Sequence, residues 1–189
     1  MKIILGSASE NRRRVLRAAR YDFEVMSADI DEKAIRHENL YEIPVLLAKA
    51  KAVALFPKIK EPAFLITADQ VIVWNGKLRE KATSIEEARH FLEMFSGSEF
   101  SAEHVNGITV TNTATGRSLT EREISRVYFS KIPREIINTF LAEGIWGKYA
   151  GGYGVDHPLL APFIRLEGTM ESALGLPLGI VERNMKELF

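Results

Sequence analysis

The sequence predicts an α/β fold built on a mixed sheet, on three observations. Short β-rich runs and amphipathic helical segments are neither strictly alternating nor grouped in blocks, which argues against a Rossmann domain. The opening run Lys2-Ile3-Ile4-Leu5 leads through Gly6-Ser7-Ala8-Ser9 into a helical pattern, as a strand-to-helix turn does. Asn75-Gly76 between two β-rich segments is a strong hairpin signal. With 189 residues, 46% of them hydrophobic, the chain can bury a substantial core as one domain over residues 1–189, or as two lobes sharing a sheet.

Taken in order, Lys2 to Leu5 is the first strand. Ser9 is the expected N-cap of a helix over Glu10 to Ala19, with Val15, Leu16 and Ala19 at core spacing. Phe23 to Met26 reads as a strand leading to the acidic turn Asp29-Ile30-Asp31-Glu32. A second helix begins near Pro44 and ends before Pro57. Phe64 to Thr67 and Val71 to Trp74 are β-rich around Asp69, and Lys77 to Arg79 should return antiparallel. Ser84-Ile85-Glu86-Glu87 is a capping box, and Ala88, Phe91, Leu92 and Phe95 line one helix face before Gly97. Val105 to Thr111 and Ile124 to Phe129 are strands around a Thr115-Gly116 turn. Pro133 opens a helix with Ile136, Ile137, Phe140 and Leu141 as its stripe. A glycine-rich segment over Tyr149 to Gly154 precedes a strand at Phe163 to Leu166, a turn at Gly168 and a final helix.

Composition excludes several functions. The 25 basic and 25 acidic residues cancel, so no overall field attracts nucleic acid or a membrane surface, and anion binding must come from local placement of Lys and Arg. Cysteine is absent, which removes disulfides, thiolate metal sites and cysteine nucleophiles. His37, His90, His104 and His157 lack zinc spacing. Neither a membrane span nor a signal peptide is legible, and a soluble, cytoplasmic protein is expected.

The candidate chemistry starts at the first helix. It is either a solvated basic first turn, or a place where free backbone N–H groups, the positive dipole end and first-turn arginines converge on an anion, with phosphate the natural fit. Asp69 lies where each neighbour favours another valine, and a buried aspartate is costly without a partner. It is either a bulge or edge residue capping a loop, or a carboxylate at a pocket rim acting as metal ligand or general base. Lys51, on an Ala- and Leu-rich helix, and Lys81, after the hairpin, are candidate partners for it. Asp31 and Glu32 add hard oxygen donors suited to Mg²⁺ or Mn²⁺.

These words in this order resemble the Maf (septum-formation-like) nucleotide pyrophosphatases, related in fold to inosine-triphosphate pyrophosphatases. The family's Leu-Ala-Ser-x-Ser-Pro-Arg-Arg is met by Leu5-Gly6-Ser7-Ala8-Ser9-Glu10-Asn11-Arg12. Its Leu-Ala-x-x-Lys-Ala helix matches Leu47 to Ala52, and Ala-Asp-Thr-Val-Val matches Ala68-Asp69-Gln70-Val71-Ile72. Gly-Lys-Pro becomes Glu80-Lys81-Ala82, and the C-terminal words match Ala150 to Val155, Leu166 to Thr169 and Gly175 to Leu178. The resemblance spans nearly the whole chain and implies an elongated mixed sheet with flanking helices, its two lobes forming a cleft.

The resemblance further implies hydrolysis of a nucleoside triphosphate to a monophosphate and pyrophosphate, with Mg²⁺ or Mn²⁺ as cofactor. Asp69, Lys51 and Lys81 would be catalytic. Ser7, Ser9, Arg12, Arg13 and Gln70 would bind substrate, and Glu32 with Asp69 would bind the metal. Glu10-Asn11 replaces the signature Pro-Arg, and Ala82 and Phe100 also depart from the family pattern. Gln70 resembles a branch that prefers 7-methyl-GTP, whereas a Thr branch prefers dTTP and UTP. A housecleaning role toward modified nucleotides follows from such an activity, and a homodimer is left open. The alternative is a non-catalytic nucleotide-binding regulator of cell division.

Overall fold

The computed structural model describes residues 1–189, which form two compact units. One comprises Met1–Gln70, Val105–Ile124 and Met170–Phe189; the other comprises Val71–His104 and Ser125–Thr169. The strands are β1 (Lys2–Leu5), β2 (Glu24–Val25), β3 (Ala63–Trp74), β4 (Lys77–Arg79), β5 (Ala102–Asn112), β6 (Ser118–Phe129) and β7 (Ile164–Glu167). They make one seven-stranded sheet in the order β2-β1-β3-β5-β6-β7, with β4 paired to β3. The helices are α1 (Glu10–Ala18), α2 (Ile43–Leu55), α3 (Ile85–Phe95), α4 (Arg134–Ala142), α5 (Met170–Ala173) and α6 (Leu178–Leu188). No helix is long and apolar enough to cross a membrane.

In the first unit β1 is parallel to both β2 and β3. The chain therefore leaves β1 through α1 to reach β2 on one side, then returns through α2 to β3 on the other. That reversal makes a switch point at the carboxyl end of β1, the kind of place where open α/β sheets bind ligands. Contacts pair Ala63 with Thr113, Thr67 with Thr109 and Gln70 with Asn106, so β5 runs antiparallel to β3 and the sheet is mixed. Ile3, Leu5, Val15, Leu16, Phe64, Ile66, Ile108, Val110 and Val181 form the core between the sheet and helices α1 and α6. On the opposite face Ile4, Ala52, Leu55 and Leu65 pack under α2. Gly107 permits that packing: a Cβ there would fall 2.1 Å from the Pro44 carbonyl oxygen.

In the second unit the hairpin forms as the sequence predicts, with Asn75 and Gly76 both at positive φ and Val73 opposite Leu78. Ser84 Oγ accepts the Glu87 N–H, but Glu87 returns its carboxylate to Thr83 rather than to Ser84. Phe95, Phe129, Tyr153 and Trp74 form an aromatic core of edge and stacked contacts. Burial raises the Tyr153 phenol pKa well above its ordinary value, and its hydroxyl lies 2.6 Å from His104 Nε2. The glycine-rich segment serves this core: a Cβ at Gly151 would press on Ile72 and Tyr153 at 3.1 and 3.2 Å. The final helix is interrupted, α5 ending before Gly175 at φ +93 and α6 starting after Pro177.

Candidate active site

Lys51 sits one turn beyond Ala48 on α2, and Thr67 fixes the height of that helix by donating its hydroxyl to the Ala48 carbonyl at 2.8 Å. This places the Lys51 ammonium 2.6 Å from Asp69 Oδ1 and 2.8 Å from Glu32 Oε1. Lys51 and Asp69 are each only 8% exposed, while Glu32 reaches in from a short 3-10 turn with its side chain half-exposed. Asp31 is occupied with capping that turn, accepting the Lys33 and Ala34 N–H groups. Asp69 belongs to an unbroken strand, not to a bulge. The neighbouring strand β1 ends its pairing at Ile66, where Gly6 N–H donates to the Ile66 carbonyl at 2.7 Å, so on that edge Asp69 lies beyond the last β1 partner. An ion pair so placed offsets the desolvation that an isolated aspartate would incur. The bond to Lys51 falls on Oδ1 and leaves Oδ2 to other partners.

The loop between β1 and α1 supplies the second half of the site. Arg12 is buried, its Nε donating to the Gly175 carbonyl at 2.9 Å and Nη1 to Ser7 Oγ at 3.0 Å. Nη2 is left without a protein acceptor. Burial pulls the Arg12 pKa below the ordinary arginine value, and the charges of Asp69 and Glu32 oppose that shift. Ser7 Oγ also accepts the Ser9 N–H at 3.2 Å. Ser9 occupies the N-cap position in an extended conformation, yet its side chain makes no capping bond, contrary to the sequence expectation. The arginines do not converge. Arg13 and Arg17 pair with Glu10 at 3.5 and 2.7 Å, and Arg14 is exposed, so only Arg12 turns inward. The sequence made Arg12 and Arg13 the candidates, but only Arg12 shares a helix face with Val15 and Leu16.

Gln70 lies beside Arg12: a Cβ built on Gly175 would stand 3.3 Å from Arg12 Nε and 3.6 Å from Gln70 Cδ. Gln70 Nε2 donates to Asn106 Oδ1 at 3.1 Å and approaches the Ser172 and Ala173 carbonyls at 3.1 and 3.2 Å. Arg12 and Gln70 thus hold the carbonyl end of α5 between them. Asn106, Ser172, Glu123 and Gly175 were not singled out from the sequence. Lys81 belongs to the second unit, where it is exposed and forms an isolated bridge with Ala150.

Glu32 and Asp69 are hard oxygen donors, and no group of three or more His, Asp or Glu side chains gathers at one point. Magnesium is commonly held by one or two carboxylates plus phosphate oxygens and water. The carboxylate pair therefore fits a divalent cation arriving with a polyphosphate, and not one caged by protein alone. Together the site offers an inward arginine with an open nitrogen, a serine hydroxyl, a carboxylate and an ammonium beside it. Such a set can hold a polyanion and orient water toward it.

The family model described as Maf-like protein matches residues 2–188. A 7-methyl-GTP pyrophosphatase of Dictyostelium discoideum is 39% identical over 184 residues, covering 93% of this chain and 91% of that protein. A dTTP/UTP pyrophosphatase of Clostridium novyi (strain NT) is 34% identical, covering 94% of this chain and 93% of its own length. A nucleoside triphosphate pyrophosphatase of Synechococcus sp. (strain JA-3-3Ab) is 32% identical over 98% of this chain and 93% of its own. By the span of that family model and by these full-length similarities, the chain belongs to the Maf-like protein family.

Proposed function

We propose that this protein is a nucleoside triphosphate pyrophosphatase. The observation that carries the reading is the Lys51 ammonium held between Asp69 and Glu32 beside the middle of β3, just past the carboxyl end of β1. The activities named for the relatives are of this kind.

In this reading Arg12 Nη2 and Ser7 bind phosphate oxygens. Water adds to the α-phosphorus through its oxygen, its proton passing to Asp69 Oδ2, while the bond from that phosphorus to the bridging oxygen breaks. The electron pair leaves with pyrophosphate, and the nucleoside monophosphate remains. Lys51 positions Asp69 by holding Oδ1. With Asp69 Oδ1 on Lys51 and Oδ2 on the water, Glu32 would be the carboxylate that holds Mg²⁺ or Mn²⁺ with the triphosphate, and the ion would supply charge neutralisation there. Phosphoryl transfer depends on such positioning and neutralisation more than on covalent chemistry.

The base is a purine of the 7-methylguanine type, supported by Gln70 and by the 39% identity to the relative of that name. The role is then removal of a modified nucleotide from the cytoplasmic pool. Incubation with 7-methyl-GTP, dTTP and UTP in the presence of Mg²⁺ or Mn²⁺, followed by separation of products, tests the reading. Monophosphate plus pyrophosphate, fastest from 7-methyl-GTP, is expected. Tight binding without turnover would favour the non-catalytic regulator. Faster turnover of dTTP would overturn the base assignment alone.

A further inference from the structure

The Gln70 amide is held in one sense by a polar network that starts at Glu123. A carboxylate only accepts, so Glu123 Oε2 requires donors: the Ser172 hydroxyl, and Asn106 Nδ2 at 3.2 Å. Asn106 is fully buried, and its Nδ2 also contacts the Ser172 carbonyl and Oγ at 3.0 Å each. With Nδ2 turned toward Glu123, its Oδ1 faces Gln70 and must receive a donor, which is Gln70 Nε2. The Ser172 and Ala173 carbonyls demand the same orientation. Every N–H of Gln70 is therefore directed into the protein. All of its side-chain bonds are made by Nε2, so Oε1 remains the open end of a side chain whose Cδ lies near Arg12 at Gly175.

We infer that Gln70 reads substrate only as a hydrogen-bond acceptor, and that Glu123 is a positioning residue that fixes this polarity through Asn106 and Ser172. The inference rests on the pyrophosphatase reading and adds to it the chemistry of the recognised group, an N–H or O–H donor. Of the donors a guanine-type ribonucleotide carries, N1–H and the 2-amino group on the base and the 2′- and 3′-hydroxyls on the sugar, the inference assigns the 2-amino group or the 2′-hydroxyl. A carbonyl oxygen placed there would meet another acceptor and be rejected, because an acceptor left unpaired in a site is costly.

The test compares kcat and KM for 7-methyl-GTP, 7-methyl-ITP, which lacks the 2-amino group, 2′-deoxy-7-methyl-GTP and dTTP. The proteins are the parent, Gln70→Met, Glu123→Leu and Glu123→Gln. The parent should favour 7-methyl-GTP over one of its two deleted analogues by about tenfold or more, and which analogue suffers identifies base or sugar as the source. Gln70→Met should abolish that preference. Glu123→Leu should weaken it by raising KM for 7-methyl-GTP severalfold at nearly constant kcat, and Glu123→Gln, which retains an acceptor, should restore it. Unchanged preference in both Gln70→Met and Glu123→Leu, or a parent that favours dTTP, overturns the inference and leaves the pyrophosphatase standing. A parent inactive on all four overturns both. Should Gln70→Met fail to fold, the Glu123 pair decides alone.

Discussion

Lys51 Nζ and Asp69 Oδ1 lie 2.6 Å apart, eighteen residues distant in sequence and both nearly buried. The helix carrying the ammonium and the strand carrying the carboxylate are joined by one covalent excursion, so the pair forms only when α2 docks on β3. The bond occupies one carboxylate oxygen and leaves the other to further partners, coupling folding of the first unit to the geometry of its site.

Asp69→Asn keeps the shape and one acceptor but cannot take a proton. The variant should fold, retain triphosphate binding and lose turnover by about 10²–10⁴-fold, the range for removal of a general base. Single-turnover rates beside binding isotherms check this, and a parental rate would return Asp69 to a structural role.

Lys51→Met strands the Asp69 carboxylate without its cation. Breaking a buried pair from one side costs about 3–5 kcal/mol, whereas Lys51→Met combined with Asp69→Asn removes the stranded charge. Denaturant unfolding should find the double variant more stable than Lys51→Met alone. Strict additivity would show that the two side chains are not energetically coupled.

Arg12→Ala deletes the one arginine of α1 that points inward. Affinity for triphosphates should fall about 10–100-fold, as expected for a charge-assisted bond of about 1.5–3 kcal/mol, with little change for the free nucleoside. Arg14→Ala, on the exposed face, should cost less. The reverse order, read by titration calorimetry, would contradict the placement of the phosphates.

Much of this architecture is readable along the chain because it is local. The β1 run, the proline-opened α2, the Asn75-Gly76 hairpin and the Ser84 cap each depend on neighbours within a few residues. Asp69 stood out because an aspartate in an apolar strand demands a partner, and Lys51 is that partner. Arg13 misled because its role depends on helix face and on Glu10, which draws it outward. The polar chain from Glu123 to Gln70 was invisible because its members, on β6, β5, α5 and β3, meet only through sheet order.

Gly175 lies where those two kinds of information meet. Its φ of +93 and the nearness of Arg12 and Gln70 leave little tolerance for a side chain. Gly175→Ala should destabilise the fold by about 1–3 kcal/mol and weaken triphosphate binding by displacing Arg12. Unfolding curves and binding isotherms that match the parent would show that this turn does not set the site.

Where water attacks is the most direct test of the whole account. Hydrolysis of 7-methyl-GTP in ¹⁸O-labelled water, with mass analysis of the separated products, reports the phosphorus that accepts the oxygen. Label in the nucleoside monophosphate, with unlabelled pyrophosphate, is the predicted result for a water activated by Asp69 at the α-phosphorus. Label in pyrophosphate, or release of a diphosphate and inorganic phosphate, would contradict it.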